Sequence, residues 1–172
     1  MDAEESFARY VRERTAALSR IAYLLTGDAH LAEDLVQETL LGLVGRWSRI
    51  AAGGDPDPYV RRALYHQHVS FWRRGRRRPE LVPEPADRPI PDSTATVADG
   101  LTLRRALARL APGQRAVLVL RFYEDRTEQE TADLLGCRVG TVKSQTRDAL
   151  ARLRRFAPEL VELDFSRTEV GR

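Results

Sequence analysis

The sequence predicts an all-α protein made of two small helical domains joined by a proline-rich linker. Apolar residues recur at helical spacing in both halves of the 172-residue chain, and alternating β patterns are missing. Five of the nine prolines lie between Pro79 and Pro91, where neither a helix nor a central strand can continue. We therefore expect a first domain at 1–78, a linker at 79–100, a second domain at 101–155 and a short tail at 156–172.

Three helices are predicted in the first half. The first ends at Gly27, a residue type that commonly stops a helix, and Asp28 can cap the second. The third begins at Asp57, which we expect to act as its cap, with Pro58 in the first turn. Trp47 is predicted to lie in the core. The apolar positions that define the helices are Phe7, Val11, Leu18, Ile21, Ala22 and Leu25, then Ala32, Leu35, Val36, Leu40 and Leu43, then Val60, Leu64 and Phe71.

The second half carries the spacing of a helix-turn-helix after two shorter helices. One of these ends before Pro112 and another starts over 116–122. The first of the two is marked by Leu103, Leu107 and Leu110. In the helix-turn-helix, Ala132 is the small residue where two helices cross, Gly136 permits a left-handed turn, and Val142 anchors the second helix.

The exposed face of that second helix is the predicted DNA contact. Its polar side chains point away from the core and could reach base edges and phosphates. They are Thr141, Lys143, Ser144 and Arg147. Spacing alone leaves open an ordinary helical hairpin with a solvated basic face. Cys137, at the turn, is predicted to be a core residue and not a redox sensor.

Two patches in the first half have both a structural and a functional interpretation. Asp34, Gln37 and Glu38 lie at i, i+3 and i+4 opposite the apolar stripe, on a face that is either solvated or covered by a partner. The third helix ends in Phe71 and Trp72 followed by five arginines in six residues. This pattern suits melted nucleic acid, and equally a core aromatic pair with a solvated basic end.

Charge is distributed in blocks, although the net charge is only +3. Residues 46–78 sum to +7 and residues 101–155 to +6. Residues 1–45 and 79–100 each sum to −4, and the tail sums to −2. Two basic blocks separated by acidic ones indicate two surfaces for a polyanion and at least one for a different partner.

Several classes of protein find no support in the sequence. The single cysteine excludes an internal disulfide and a thiolate zinc cluster. His66 and His68 would point about 200° apart on a helix, so we expect no metal, and no other cofactor is indicated. No phosphate loop, activated nucleophile or carboxylate pair indicates an enzyme. With an acidic N-terminus and no stretch near the length of a membrane span, we expect a cytoplasmic protein without membrane insertion.

Two sets of motifs resemble the extracytoplasmic-function sigma factors. The runs LTGD at 25–28 and AEDLVQET at 32–39 resemble their conserved region 2. The runs LAPGQRAVLVLRFYED at 110–125, LGC at 135–137 and GTVKS at 140–144 resemble their region 4. The resemblance spans about residues 5–155. It implies an alternative sigma factor that binds core RNA polymerase, recognises the minus-ten and minus-thirty-five promoter elements and helps initiate transcription.

The resemblance also implies which residues meet each partner. The β′ clamp helices of the polymerase would be gripped by Asp34, Gln37, Glu38 and Leu41. The loop from Arg49 to Pro58 and the third helix would capture and melt the minus-ten element, using Arg49, Arg61, Arg62, His66, Phe71, Trp72, Arg73 and Arg74. The minus-thirty-five readers would be Arg121, Arg138, Thr141, Lys143, Ser144 and Arg147. Expected partners are core RNA polymerase through its β′ clamp helices and β subunit, promoter DNA and, by family analogy, an anti-sigma factor.

Four positions depart from the family pattern. His66 stands where an asparagine is usual, and Arg126 where a leucine is usual. Arg138 replaces the serine that caps the recognition helix, a loss of about 1 kcal/mol of capping. Asp148 replaces an arginine and would repel DNA if it faced the backbone. The main alternative is a stand-alone helix-turn-helix regulator, in which the polar face of the second helix and the arginine-aromatic segment would have no role.

Overall fold

The computed structural model describes residues 2–75 and 97–158, with side chains described for residues 2–70 and 103–158. These ranges consist of helices and the turns between them and contain no β-strand, which confirms the all-α prediction. They form two compact units, one on each side of position 90. Most of the predicted linker and tail lies outside the described residues, so the domain boundaries stay a prediction. Among the helices described, none has the length and apolar content needed to cross a membrane.

The first unit contains four helices. They are α1 (Ala3–Thr26), α2 (Ala29–Val44), α3 (Trp47–Ala52) and α4 (Asp57–Gly75). The predicted boundary between α1 and α2 is confirmed. Gly27 adopts a left-handed φ of 74°, and its N–H donates to the carbonyl of Tyr23, which closes α1. Asp28 Oδ1 accepts a 2.9 Å hydrogen bond from the Leu31 N–H and so caps α2.

The core of this unit lies between α1, α2 and α4. The apolar stripe predicted for α2 is buried along its whole length, which confirms the helical periodicity. Each fully buried aliphatic side chain of this kind contributes about 1.5–3 kcal/mol relative to an exposed one. The largest fully buried apolar side chains of this unit are Leu18, Ile21, Leu25, Val60, Leu64 and Tyr65.

Helix α3 was not predicted, and the segment expected to be a loop from Arg49 begins inside it. Six residues are too few to show a helical period, and Arg46 supplies no capping side chain. Packing holds α3 in place instead. Trp47 is buried, as predicted, with ring centroids 5.0 Å from Phe7 and 5.1 Å from Tyr10.

The capping residue predicted for α4 was also wrong. The helix begins at Asp57 with Pro58 in its first turn, as expected. The N–H of Asp57, however, donates to Asp55 Oδ1 at 3.0 Å, so Asp55 satisfies this end of the helix. The side chain of Asp57 is therefore left for contacts with other helices.

The second unit contains α5 (Val97–Ala108), α6 (Pro112–Leu118), a π-helical turn (Val119–Tyr123), α7 (Glu128–Leu135) and α8 (Val139–Phe156). The prediction that a helix starts at Ala116 was wrong by four residues, because Pro112 occupies the first turn of α6. Gln114 Oε1 accepts from the Ala111 N–H at 3.2 Å and stabilises that start. Leu110, which we expected within the preceding helix, lies just beyond it.

The core of the second unit centres on the crossing of α6, α7 and α8. Val117, Ala132 and Val142 are buried together. The predicted core position of Cys137 is confirmed in its packing, since it lies partly buried against this cluster together with Leu135 and Val139. Burial raises the pKa of the Cys137 thiol, which lowers the thiolate fraction on which cysteine reactivity depends.

Candidate functional site

One face of α2 is polar and exposed, directly opposite the buried stripe. It carries Asp34, Gln37 and Glu38, together with Leu41, whose 72% exposure is unusual for a leucine. Glu38 Oε2 accepts a 2.7 Å hydrogen bond from Gln67 Nε2 of α4. Carboxylates bordered by an exposed apolar side chain form a surface suited to a protein partner with basic groups.

A short exposed turn at 53–56 separates α3 from α4. Gly54 has a φ of 109°, a conformation that residues with a Cβ rarely adopt. Asp55 is exposed, and so is Arg49 in the preceding helix. The part of the predicted loop that lacks helical structure is therefore only four residues long.

Asp57, at the start of α4, is the centre of a polar cluster. Its Oδ1 accepts a 2.9 Å hydrogen bond from the hydroxyl of Tyr10, and its Oδ2 accepts from Arg61 Nε at 2.6 Å. Arg14 Nε lies 3.7 Å from the same carboxylate. Burial opposes ionisation of Asp57, but the hydrogen bonds from Arg61 and Tyr10 outweigh it and lower its pKa. Burial and the bond to Asp57 raise the pKa of Tyr10 above its usual range.

The outer face of α4 carries Arg62 and His66, both exposed. Arg61, predicted with them, instead points into the Asp57 cluster and is only 20% exposed. Tyr59 was missed by the sequence analysis. It is 45% exposed and precedes Arg62 and His66 by three and seven residues, the spacing of one helical face. The side chains of Phe71, Trp72, Arg73 and Arg74 lie outside the described part of the chain, although their backbone belongs to α4.

The two histidines of α4 occupy opposite faces, as their spacing predicted. His66 is exposed, whereas His68 is buried. Within the described ranges no group of three or more His, Cys, Asp or Glu side chains is arranged to hold a metal ion.

Helices α7 and α8 form the predicted helix-turn-helix. Gly136 adopts a left-handed φ of 63° at the turn. The N–H of Thr127 donates to Glu130 Oε2 at 2.8 Å, and the Glu130 N–H donates to Thr127 Oγ1 at 3.1 Å, forming a capping box at the start of α7. The backbone bond from Thr127, followed by its side-chain bond, lowers the pKa of Glu130. The turn at Gly136 and the burial of Val142 against Ala132 hold α8 against α7.

The outer face of α8 brings together four of the six predicted minus-thirty-five residues. Lys143 and Arg147 are 64% and 77% exposed at the side chain, and Thr141 is exposed as well. Ser144 is half-buried and donates to the carbonyl of Thr141 at 3.0 Å. Arg138 precedes α8 as its N-cap residue and makes no side-chain capping bond there. Such a face could meet both phosphates and base edges.

Two of these cations have an acidic neighbour. Lys143 Nζ lies 3.6 Å from Glu128 Oε2 of α7, and Arg147 Nη2 lies 3.0 Å from Asp148 Oδ1. Arg121, the sixth predicted residue, is half-buried in the π-helical turn and donates to the carbonyl of Arg126. It therefore supports the segment that leads into α7. Spacing predicted that Lys143 and Arg147 are exposed but did not indicate their acidic neighbours.

Known proteins share both units. Residues 10–78 match the sequence family Sigma-70 region 2, and residues 100–153 match Sigma-70, region 4. An RNA polymerase sigma-E factor from Streptomyces avermitilis is 43% identical over 150 residues, which cover 86% of this chain and 83% of that relative. The ECF RNA polymerase sigma factor SigL from Mycobacterium tuberculosis is 34% identical over 156 residues, which cover 86% of each chain. This chain belongs to the extracytoplasmic-function (ECF) RNA polymerase sigma factors.

Solved structures have a similar fold to this sigma factor. RpoE of Bartonella quintana, in complex with the anti-sigma factor NepR, gives a TM-score of 0.69 at 26% identity, covering 93% of this sigma factor and 99% of that chain. CnrH, in complex with the cytosolic domain of CnrY, gives a TM-score of 0.58 at 20% identity over 91% and 90% of the two chains. The resemblance predicted from the motifs is confirmed: the protein is an alternative sigma factor of transcription initiation, and the stand-alone regulator is not favoured.

Proposed function

We propose that this sigma factor grips core RNA polymerase through α2, captures and melts the minus-ten element with α4 and the 53–56 turn, and binds the minus-thirty-five element with α8. The polymerase performs the chemistry, and the sigma factor supplies recognition and strand capture. Working with the polymerase on promoter DNA implies a place in the cytoplasm. The observation that carries the proposal is the separation, on α2, of an exposed acidic face from a fully buried apolar one.

The polymerase contact is supported by charge and exposure. Asp34 and Glu38 are exposed one helical turn apart, and Leu41 follows on the same side of α2. Complementary charge steers association and fixes register, while a central apolar side chain adds buried area. The β′ clamp helices, with basic groups facing this surface, are the proposed partner.

The minus-ten contact is supported by the composition of the exposed face of α4. Arg62 can neutralise a phosphate, His66 can donate or accept hydrogen bonds, and Tyr59 offers a ring on which an unpaired base could stack. This face adjoins the 53–56 turn, whose glycines leave room for a close approach of the DNA strand.

The minus-thirty-five contact is supported by the recognition helix. Lys143 and Arg147, one helical turn apart, project from the same face of α8, and Thr141 is exposed in its first turn. Side chains of these types reach bases and phosphates in the major groove. Arg138, at the N-terminus of α8, is placed to add a phosphate contact.

We also propose an anti-sigma factor as a regulatory partner. Support comes from the Bartonella quintana relative, whose structure contains the anti-sigma factor NepR. The exposed apolar side chains Leu31, Leu41 and Val44 of α2 offer area that such a partner could cover.

Charge reversal on α2 tests the polymerase contact. Asp34→Arg with Glu38→Arg should abolish association with core polymerase and run-off transcription, because reversed charge pairs at an interface cost about 2–5 kcal/mol or more. Surface changes of this kind shift stability by about half a kcal/mol. The matched control is Glu5→Arg with Glu13→Arg, the same change in net charge on exposed positions of α1.

The outcomes distinguish a sigma factor that binds core polymerase from a stand-alone regulator. The control variant should assemble and transcribe like the wild type. A stand-alone regulator would be indifferent to both double variants. If Asp34→Arg with Glu38→Arg still assembles with core polymerase at wild-type affinity, the proposed polymerase contact is wrong.

A further inference from the structure

Residues 6–10 of α1 contact the chain on both sides of the exposed 53–56 turn, at Trp47, which begins α3, and at Asp57, which begins α4. On the α3 side, Phe7 and Tyr10 pack their rings against Trp47. Ser6 Oγ accepts a 3.2 Å hydrogen bond from Trp47 Nε1. The residue that begins α3 is thus fixed by both an apolar and a polar contact.

The α4 side is fixed by the same tyrosine. The Tyr10 hydroxyl donates to Asp57 Oδ1 at 2.9 Å, while its ring lies against Trp47. Tyr10 is itself buried, so neither contact competes with bulk water. A single side chain therefore joins the first residue of α3 to the first residue of α4, on either side of the segment that ends in the 53–56 turn.

We propose that Tyr10, assisted by Ser6, is a positioning residue for minus-ten capture: it ties Trp47 to Asp57 and holds the 53–56 turn ready for the DNA strand. The inference rests on the proposed function of this turn. Gly53 and Gly54 in this turn lose more conformational freedom on becoming ordered than other residues would at the same positions. Fixing the start of α3 and the start of α4 beforehand restrains the segment that contains the turn and lowers the ordering cost that DNA binding must overcome.

Two neighbouring arginines of α4 have different roles. Arg61 belongs to the polar cluster around Asp57, because its Nε donates to Asp57 Oδ2 at 2.6 Å. Arg62, the next residue, is exposed on the outer face. The residue that binds Asp57 and the residue proposed to face the DNA are thus adjacent in sequence. A shift of Arg61 and Asp57 would therefore displace the outer face of α4 that carries Arg62.

The test uses Tyr10→Phe, which keeps the ring on Trp47 and removes only the hydroxyl. Holoenzyme is assembled from core polymerase, and a promoter is first selected by run-off transcription with the wild type. Three affinities are measured: for core polymerase, for the non-template minus-ten strand, and for the minus-thirty-five duplex. Affinity for the minus-ten strand should fall about three- to tenfold, the factor carried by one typical intramolecular hydrogen bond, with the other two unchanged.

Two further variants make the result specific. Tyr23→Phe removes a hydroxyl from the same helix 13 residues further on, about 20 Å away by helical rise, and should leave all three affinities unchanged. Ser6→Ala removes the hydrogen bond to Trp47, at the start of α3, and should give a smaller loss of minus-ten affinity. Hydrogen exchange at the amides of Gly54 and Asp57 should accelerate in Tyr10→Phe, while the amides of α2 keep their rates.

Each outcome decides the inference. Wild-type minus-ten affinity and exchange in both Tyr10→Phe and Ser6→Ala would overturn it. Equal losses in all three binding assays would overturn it too, because they would indicate general destabilisation. Arg62→Ala separates this failure from that of the proposed function. If Arg62→Ala weakens minus-ten binding and Tyr10→Phe does not, only the positioning role is wrong; if neither matters, the assignment of this face to the minus-ten element fails as well.

Discussion

Arg115 Nη2 donates a 2.9 Å hydrogen bond to the main-chain oxygen of Ala108, the last residue of α5. A second, longer bond of 3.4 Å reaches the oxygen of Leu110. The side chain is only 4% exposed, and burial lowers its pKa to about 10. Arg115 therefore remains charged at neutral pH and serves as a donor for carbonyls that the end of a helix leaves unpaired.

Replacing Arg115 should destabilise the second unit. Arg115→Met leaves both carbonyls without this donor, and loss of hydrogen bonds from a charged group costs about 1.5–3 kcal/mol. Urea unfolding followed by circular dichroism should show a lower midpoint. Arg105→Met, which removes an exposed arginine from the last turn of α5, is the control. Equal midpoints for the two variants would contradict a capping role.

Removing the acidic neighbour of Lys143 should strengthen DNA binding. Exposed ion pairs are worth about 0.2–1 kcal/mol, so Glu128→Gln should raise affinity for the minus-thirty-five duplex by a factor of about 1.4 to 5. The salt dependence should steepen by about 0.9 in the log–log slope if Lys143 then engages a phosphate. Affinities are measured by fluorescence anisotropy over a range of salt concentrations.

Asp133→Asn removes one negative charge from the same helix at a residue paired with Gln129. It should change affinity less than Glu128→Gln does. In a Lys143→Ala background, Glu128→Gln should have no further effect. An equal gain with and without Lys143 would show that general electrostatics, and not this pair, is responsible.

Arg138→Ser should make the protein more stable and a weaker DNA binder. Arg138 makes no side-chain capping bond at α8, and a serine there should contribute about 1 kcal/mol. Loss of one phosphate contact should make the salt slope shallower by about 0.9. Thermal unfolding and duplex titration measure the two effects. Thr127→Ala, which removes the existing cap of α7, is the control and should lower the stability of the protein without changing the salt slope. If Arg138→Ser binds the duplex as tightly as the wild type, Arg138 is not a DNA contact.

Tyr59→Ala should impair promoter opening with little effect on folding. Stacking of an unpaired base on an aromatic ring is worth about 1–3 kcal/mol, so open complexes should decrease about tenfold. Permanganate reactivity of thymines at the start site measures opening. Tyr59→Phe keeps the ring and should retain opening, and Tyr123→Ala, a comparably exposed tyrosine of the second unit, is the control. Full reactivity in Tyr59→Ala would exclude stacking at this position.

Features set by neighbours in sequence were predictable. The stripe of α2, the cap at Asp28 and the left-handed Gly136 all follow from residue type and spacing within one or two helical turns. The exposed face of α8 followed in the same way. Its four outward residues are determined by the helical period once Val142 is buried.

Features that depend on contacts between distant residues were not predictable. Tyr10 and Asp57 are 47 positions apart, and no local pattern indicates that their side chains meet. Helix α3 is too short to show a period and depends on the burial of Trp47 by α1. The pairing of Arg61 with Asp57 is an exception, because it joins positions i and i+4 of α4 and the spacing alone could have separated Arg61 from the exposed Arg62.

The π-helical turn at Val119–Tyr123 constrains how many residues can lie between α6 and α7. A π turn holds one residue more than an α turn, so the backbone beyond it is rotated by roughly 100° relative to an uninterrupted α-helix. The bonds from Glu124 N to the Val119 carbonyl and from Arg121 to the Arg126 carbonyl both depend on that phase. A single-codon deletion here would restore α-helical geometry and turn the segment leading into α7 away from its present direction. The number of residues between α6 and α7 is therefore constrained more tightly than the identity of the exposed side chains. We expect that gaps in an alignment of relatives avoid this segment.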